Sequence, residues 1–465
     1  MPLCASRAVA WFRDRALNYR QAIEDVLVSM APQAAGLVTG VVTSVLIARG
    51  LGAAGMGQYA LVLSICGLTA QLSDLGIGRT AVRFAARAAA LGETCLQMAV
   101  LRWAFRIRMS MALLMSVVAF ILAPWISQRF WHAADLAPIV RLGLWIGILG
   151  ALAAVPTVYF QALKRFRVNA TVTVVQTLLT FIGILILAFL RHWSVTAVIQ
   201  VSVVTTALGA FIFLVLVPKA ALFTVEDLRK PFRSALAGLW KAPDQSAVSA
   251  TSLDNTGPTT FAFYMVLSSV ATAVILRADV WLMGYFLDKP QIGIYQVATR
   301  FTLPLTMLLG ALNTALWPRA SALTSADATL RLLRGTFKLT ALTAACGLLY
   351  AAFVPLLMPW LFGSEYATGI LLGQLLCLRY CVALLMCPIQ VIGYSLGLVR
   401  IYWLVNLLQL TVTVTMNVLL LPRMGAVGSA IALIANDVVG FAMIGGLILR
   451  HSAAMRLGSD GSPSI

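Results

Sequence analysis

The segment ILRADVWLMGYFL, Ile275 to Leu287, carries Arg277 and Asp279 inside a run apolar enough to cross a membrane. Residues two apart on a helix point about 200° from each other, so these charges cannot pair along it. Each needs its own partner. Arg277 lies about 15 Å of helical rise before Leu287, too deep for its side chain to reach an interface easily. Charges at that depth are costly, and they face a bundle interior or a wet cavity, where they mark a path or a relay. The planar, bidentate fork of arginine suits an anionic group there. The bland alternative is that both charges make interhelical salt bridges that only fix packing. Arg277 reads as the functional one. Asp279, on the opposite side, reads as an anchor for a neighbour such as Arg300, or as part of ion coupling. Arg300 and Arg379 also lie deep in apolar runs and add to a positive interior, whereas Arg141 sits near an interface. Asp74, near the end of an apolar run, is a candidate for ion coupling, but capping or pairing with Arg79 or Arg83 fits its position better. Asp437, beside Asn436, is a further coupling candidate.

The elements that must position these residues are membrane helices. Of the 465 residues 61% are hydrophobic and 11% charged, against about 25% charged in a typical soluble domain. Mean hydropathy is +0.92. Runs of about 20 apolar residues recur along the chain, each able to span a hydrocarbon core. The expected spans are 29–48, 57–78, 109–128, 137–161, 168–190 and 194–217, then 262–287, 293–317, 337–361, 367–394, 401–421 and 425–449. A barrel would need alternating polarity, which is absent, so the fold class is all-α.

The 34 Lys and Arg set the orientation. With the N-terminus in the cytoplasm, the outer segments hold only Arg49, Arg129, Arg191, Lys289 and Arg423. Both termini are therefore expected inside. The net charge of +18 is a topology and lipid-surface signal; no basic run interleaved with aromatics points to nucleic acid. Residues 1–28 lack a continuous apolar core and read as a basic amphipathic interfacial segment rather than a signal peptide. Residues 218–261, with APDQSAVSATSLDNTGPTT, have linker composition, and 450–465 form a cytoplasmic tail.

The two sets of six spans, 29–217 and 262–449, repeat each other. At an offset of 236 residues Leu51, Gly57 and Tyr59 meet Leu287, Gly293 and Tyr295. Further along, Arg167, Val172, Gln176 and Thr180 meet Arg400, Val405, Gln409 and Thr413. An even number of spans per half makes the repeats parallel, with a substrate path between two lobes that rock to give alternating access. The charged chemistry is asymmetric on this frame, because Arg277 and Asp279 fall opposite Val41 and Thr43.

The stretch ARGLGAAGMGQYALV (Ala48–Val62), followed by DLGIGRTAVRFAA (Asp74–Ala86), resembles the polysaccharide transporters. These are the Wzx-type lipid-linked oligosaccharide flippases of the multidrug/oligosaccharidyl-lipid/polysaccharide exporter superfamily. LPRMGAVGSAIAL (Leu421–Leu433) and the Arg-x-Asp of the seventh span resemble them too. The equivalent turn in the second half, LDKPQIGIY, lacks the arginine of the first. The resemblance implies two lobes around a central cavity in a bacterial or archaeal cell (inner) membrane. It implies an oligosaccharide on polyprenyl pyrophosphate as substrate, moved from the cytoplasmic to the outer leaflet. Arg277, Arg300, Arg379 and Arg49 then become candidates to meet the pyrophosphate. Asp74, Asp279 and Asp437 become candidates for gating or for coupling to a proton or sodium ion.

Other chemistry is sparse. His132, His192 and His451 lack metal-ligand spacing, and no Cys-x-x-Cys occurs; Cys377 and Cys381 read as apolar filler. GLGAAGMG follows a span rather than a strand and is no dinucleotide loop. No cofactor and no catalytic residue is expected, and the chain reads as a monomer. Two competing readings remain. An exporter of drugs or small cations would favour an acidic cavity, and a polysaccharide polymerase or ligase would favour a large outer loop with paired carboxylates.

Overall fold

The computed structural model describes residues 2–163, 165–217, 258–321, 326–395 and 399–459. They are helical almost throughout. The first lobe comprises α1 (Pro2–Asp74), α2 (Ile77–Ala90), α3 (Thr94–Trp125), α4 (Leu136–Ala162), α5 (Phe166–Phe189) and α6 (Val195–Leu216). The second comprises α7 (Pro258–Phe286), α8 (Lys289–Arg300), α9 (Leu303–Ser321), α10 (Ala326–Ala352), α11 (Val354–Phe362), α12 (Ile370–Ser395), α13 (Val399–Met424) and α14 (Ala426–Ser459). The expected linker lies mostly outside the described residues.

Ten described helices are long and apolar enough to span a membrane. They account for the expected twelve spans once two irregularities are recognised. The first and second spans form one hydrogen-bonded element, α1, folded at Gly52, where φ is 66° and ψ is 177°. Only glycine adopts that conformation at low cost. The eighth expected span is broken into α8 and α9 after Arg300. Pro304 supplies the reason: proline disfavours helix in the residue before it and starts a helix well at its first turn. The third span begins earlier than its apolar run, since α3 continues as a helix from Thr94 through Arg102, Arg106 and Arg108. The backbone of α1 is helical from Pro2, so the expected interfacial segment continues directly into the first span.

Small residues let the two lobes meet closely. A Cβ on Gly57 would overlap the carbonyl of Lys289, and a Cβ on Gly293 would overlap the carbonyl of Ala53. The offset of 236 residues maps 53 onto 289 and 57 onto 293. The contact is therefore reciprocal: the second arm of α1 and its repeat, α8, cross backbone to backbone on the pseudo-twofold axis between the lobes. Hydrophobic side chains around this crossing, including Met56, Leu61, Met283 and Ile292, are fully buried.

Candidate functional site

Arg277 and Arg300 face the interface between the lobes at matching depth. Arg277 is about 14 Å of rise from the end of α7, and Arg300 about 16 Å from the start of α8. The Arg277 guanidinium lies against Gly67 of α1, where an added Cβ would stand 2.5 Å from Nη2 and 2.8 Å from Cζ. Arg300 lies within electrostatic reach of Arg277 and of Tyr59 on α1. The Nε of each arginine is buried without a hydrogen-bond partner. Among the described residues neither arginine forms an ion pair. Two guanidinium groups that repel each other and lack an anion are an unfavourable arrangement for a folded chain alone.

The remaining candidates separate from this pair. Asp279 does not anchor Arg300. Its carboxylate accepts a hydrogen bond from the Tyr295 hydroxyl, and from the Val280 amide at 2.8 Å. The separation by 200° on α7 turns Asp279 into the second lobe, while Arg277 faces the first. Arg379 is not a free cation either. Its Nε and Nη2 donate to Asp437 at 2.7 and 3.3 Å, joining α12 to α14. Asn436 extends the network, donating to Asp437 at 3.1 Å and accepting from the Thr413 hydroxyl at 3.0 Å. Asp74 pairs with Arg108 of α3 and accepts the Gly78 N–H at 3.2 Å, capping α2 as its position suggested; the side chains of Arg79 and Arg83 lie outside the described residues. Arg108 comes to Asp74 because α3 extends so far beyond the apolar run. Arg141 stacks on the Phe120 ring, with its Cζ 4.4 Å from the centroid.

Arg49 belongs to another structure, a seal at the end of the molecule that carries the α7–α8 turn. Its Nε and Nη2 donate to the carbonyls of Leu361 and Trp360 at 2.8 and 2.7 Å, at the C-terminus of α11. Glu365 answers from the second lobe, accepting the Ala53 N–H at 3.0 Å, just after the Gly52 fold. A cation meets a helix C-terminus and an anion meets a helix N-terminus, which suits both dipoles. The Tyr366 hydroxyl donates to the Ala48 carbonyl at 2.9 Å. Asp135 of the first lobe accepts from Gln58 at 3.2 Å and meets Lys289 at 3.5 Å. The Trp131 ring packs on Gly284, with Trp281 edge-on at a centroid distance of 6.3 Å. Beneath this seal, about two to three helical turns further in, lies the arginine pair.

The sequence does not mark Glu365 and Tyr295 as site residues. The repeat hinted at Tyr295 through its match to Tyr59. Glu365 carried only the weak signal of a carboxylate in a chain with 16 acidic residues. Among the described residues no group of three or more His, Cys, Asp or Glu could hold a metal ion.

This architecture has known relatives. The chain matches the family described as polysaccharide biosynthesis protein over residues 22–324, and it belongs to that family. No curated protein matches it in sequence. An inward-facing structure of a multidrug resistance MATE family transporter of the MOP superfamily is similar, with a TM-score of 0.68 and 12% identity, covering 92% of this chain and 98% of that one. The lipid II flippase MurJ, in an inward closed conformation, gives 0.67 and 12%, covering 94% of each chain. A variant of the Vibrio cholerae MATE transporter VcmN gives 0.53 and 14%, covering 92% of this chain and 96% of that one. The chain shares its fold with these structures, and its apolar helices make it a multi-pass membrane protein.

Proposed function

We propose that the protein is a flippase that moves an oligosaccharide linked to polyprenyl pyrophosphate from the cytoplasmic to the outer leaflet. The observation that carries this reading is the unpaired arginine pair, Arg277 and Arg300, buried between the lobes. A pyrophosphate offers oxygens to both forks and removes their mutual repulsion. Lipid II, the substrate named for MurJ, supports the reading by analogy of fold. A cation exporter would gain nothing from two uncompensated positive charges at the same place. Both termini lie in the cytoplasm of the cell membrane, following the distribution of Lys and Arg. The seal then closes the outer side, and the lobes rock apart there to release the substrate. The chain acts as a monomer, with the lobes at 29–217 and 262–449 and cytoplasmic segments at 1–28, 218–261 and 450–465. Asp74 and Asp437 are occupied by Arg108 and Arg379, so Asp279 is the carboxylate best placed to couple transport to a proton or sodium ion.

Deleting the gene in its own host tests the assignment. The lipid-linked sugar pool of the cytoplasmic leaflet is expected to rise and surface polysaccharide to fall. Wild type restores export. Arg277→Ala at normal membrane abundance fails to restore it, and Arg277→Lys restores it partly, since lysine keeps the charge but not the fork. An unchanged pool after deletion rules out this substrate class. Full export by Arg277→Ala would reduce Arg277 to a packing charge.

A further inference from the structure

The first lobe contains a cavity of about 690 Å³ lined by residues of all six of its helices, and neither Arg277 nor Arg300 lines it. The internal repeat makes its position informative. Gln176 of α5 and Gln409 of α13 are equivalent, and each packs against a glycine of the last helix in its lobe, Gly209 or Gly440. In the second lobe Gln409 donates to the Asn436 carbonyl at 3.3 Å, and the Arg379–Asp437 pair fills the neighbouring space. In the first lobe the Gln176 side chain has no hydrogen-bond partner among the described residues and lines the cavity. The same scaffold is filled with its own polar groups on one side and open on the other.

The lining selects a chemistry. Asp74 and Arg108 neutralise each other, so neither a lone cation nor a lone anion is favoured. Gln161 and Gln176 present amides that both donate and accept. Thr157 and Thr173 donate their protons to the carbonyls of Ala153 and Asn169, at 3.0 and 2.8 Å, which leaves their oxygens as acceptors. Val158 and Phe213 add apolar wall. Neutral amides, hydroxyl oxygens and apolar surface together fit a neutral polyhydroxylated ring with C–H faces. The volume lies in the ordinary range for ligand pockets, about 300–1,000 Å³. The cavity also starts close to the arginines. Gly67 faces Arg277, Thr69 packs near Gly147 of α4, and Gly150, one turn on, lines the cavity.

We infer that this cavity binds the carbohydrate part of the substrate while Arg277 and Arg300 hold its pyrophosphate. The inference rests on the flippase reading above. Its test uses the full-length protein in lipid nanodiscs and two probes. One is inorganic pyrophosphate. The other is the oligosaccharide mixture released by mild acid from the lipid extract of the host's own membranes. Wild type is expected to bind both. Gln161→Leu/Gln176→Leu is expected to weaken oligosaccharide binding about tenfold or more while keeping pyrophosphate binding, which also reports that the variant is folded. If that variant binds neither probe, Thr173→Val replaces it, with the same selective loss expected. Oligosaccharide that fails to bind wild type, or binds both variants as tightly as wild type, overturns the carbohydrate site and leaves the arginine reading standing. Failure of pyrophosphate to bind wild type instead sinks the arginine reading. Loss of oligosaccharide binding in variants that melt at the wild-type temperature would then still support the cavity.

Discussion

Two kinds of buried arginine occur in this protein, and they predict opposite responses to mutation. Arg379 is held by Asp437 through two hydrogen bonds. Asp437→Asn leaves the guanidinium buried without its counter-ion, an effect of about 3–5 kcal/mol in other proteins. A large loss of thermal stability in detergent is expected, and Arg379→Met/Asp437→Leu should recover most of it. Arg277 has no such partner, so Arg277→Met removes an uncompensated charge. It is expected to leave stability unchanged or raised while transport is lost, the pattern of a residue kept for function. A thermal melt of the purified variants separates the two cases; equal destabilisation by both changes would mean that Arg277 is structural. None of this pairing was legible in the sequence. Arg277, Arg300 and Arg379 look alike as arginines in apolar runs. What distinguishes them is which neighbour the packing of α7, α8, α12 and α14 brings within reach.

At the scale of elements the sequence was more open. Apolar runs located the helices, and the repeat aligned Gly57 with Gly293 before any contact was visible. The crossing gives those glycines a physical reason, since neither position has room for a methyl group. The fold at Gly52 was legible as a tight turn, but not the helical hydrogen bonding on both sides of it. The apolar run 293–317 hides the break before α9, which only Pro304 marks. The crossing makes a further prediction. Gly57→Ala and Gly293→Ala should act alike, each pushing α1 and α8 apart where the seal closes. Export is expected to fall severely in both, with normal membrane abundance, because Cβ–carbonyl overlap cannot be relieved by a side-chain rotation. Gly335→Ala has open space around its Cβ and should export as wild type. A normal rate in either crossing variant would show that this contact is not part of the transport cycle.

For the whole molecule, the question is what holds the seal shut against an interface that reopens in the proposed transport cycle. The ties across it are few and reciprocal. Arg49 caps the end of α11, and Glu365 caps the arm of α1 that begins after Gly52. Each is a charge at a helix end, worth about 0.5–2 kcal/mol. Both side chains are engaged by backbone groups of the opposite lobe, so we expect them to bias the conformational equilibrium. Removing both should shift that equilibrium toward the outward-open state by roughly tenfold or more, since about 1.4 kcal/mol is one decade. Spin labels on Arg129→Cys and Asp288→Cys, both exposed and on opposite lobes, read the opening as a distance in a background freed of the native cysteines. Arg49→Ala/Glu365→Gln is expected to enlarge the long-distance population at equilibrium. The Arg49→Ala and Glu365→Gln single changes should each give an intermediate shift, because the two ties act at separate helix ends. An unchanged distance distribution in the double variant would place the closing energy in the glycine crossing and the Trp131–Gly284 contact instead. The polar ties would then act only as guides for register as the lobes meet.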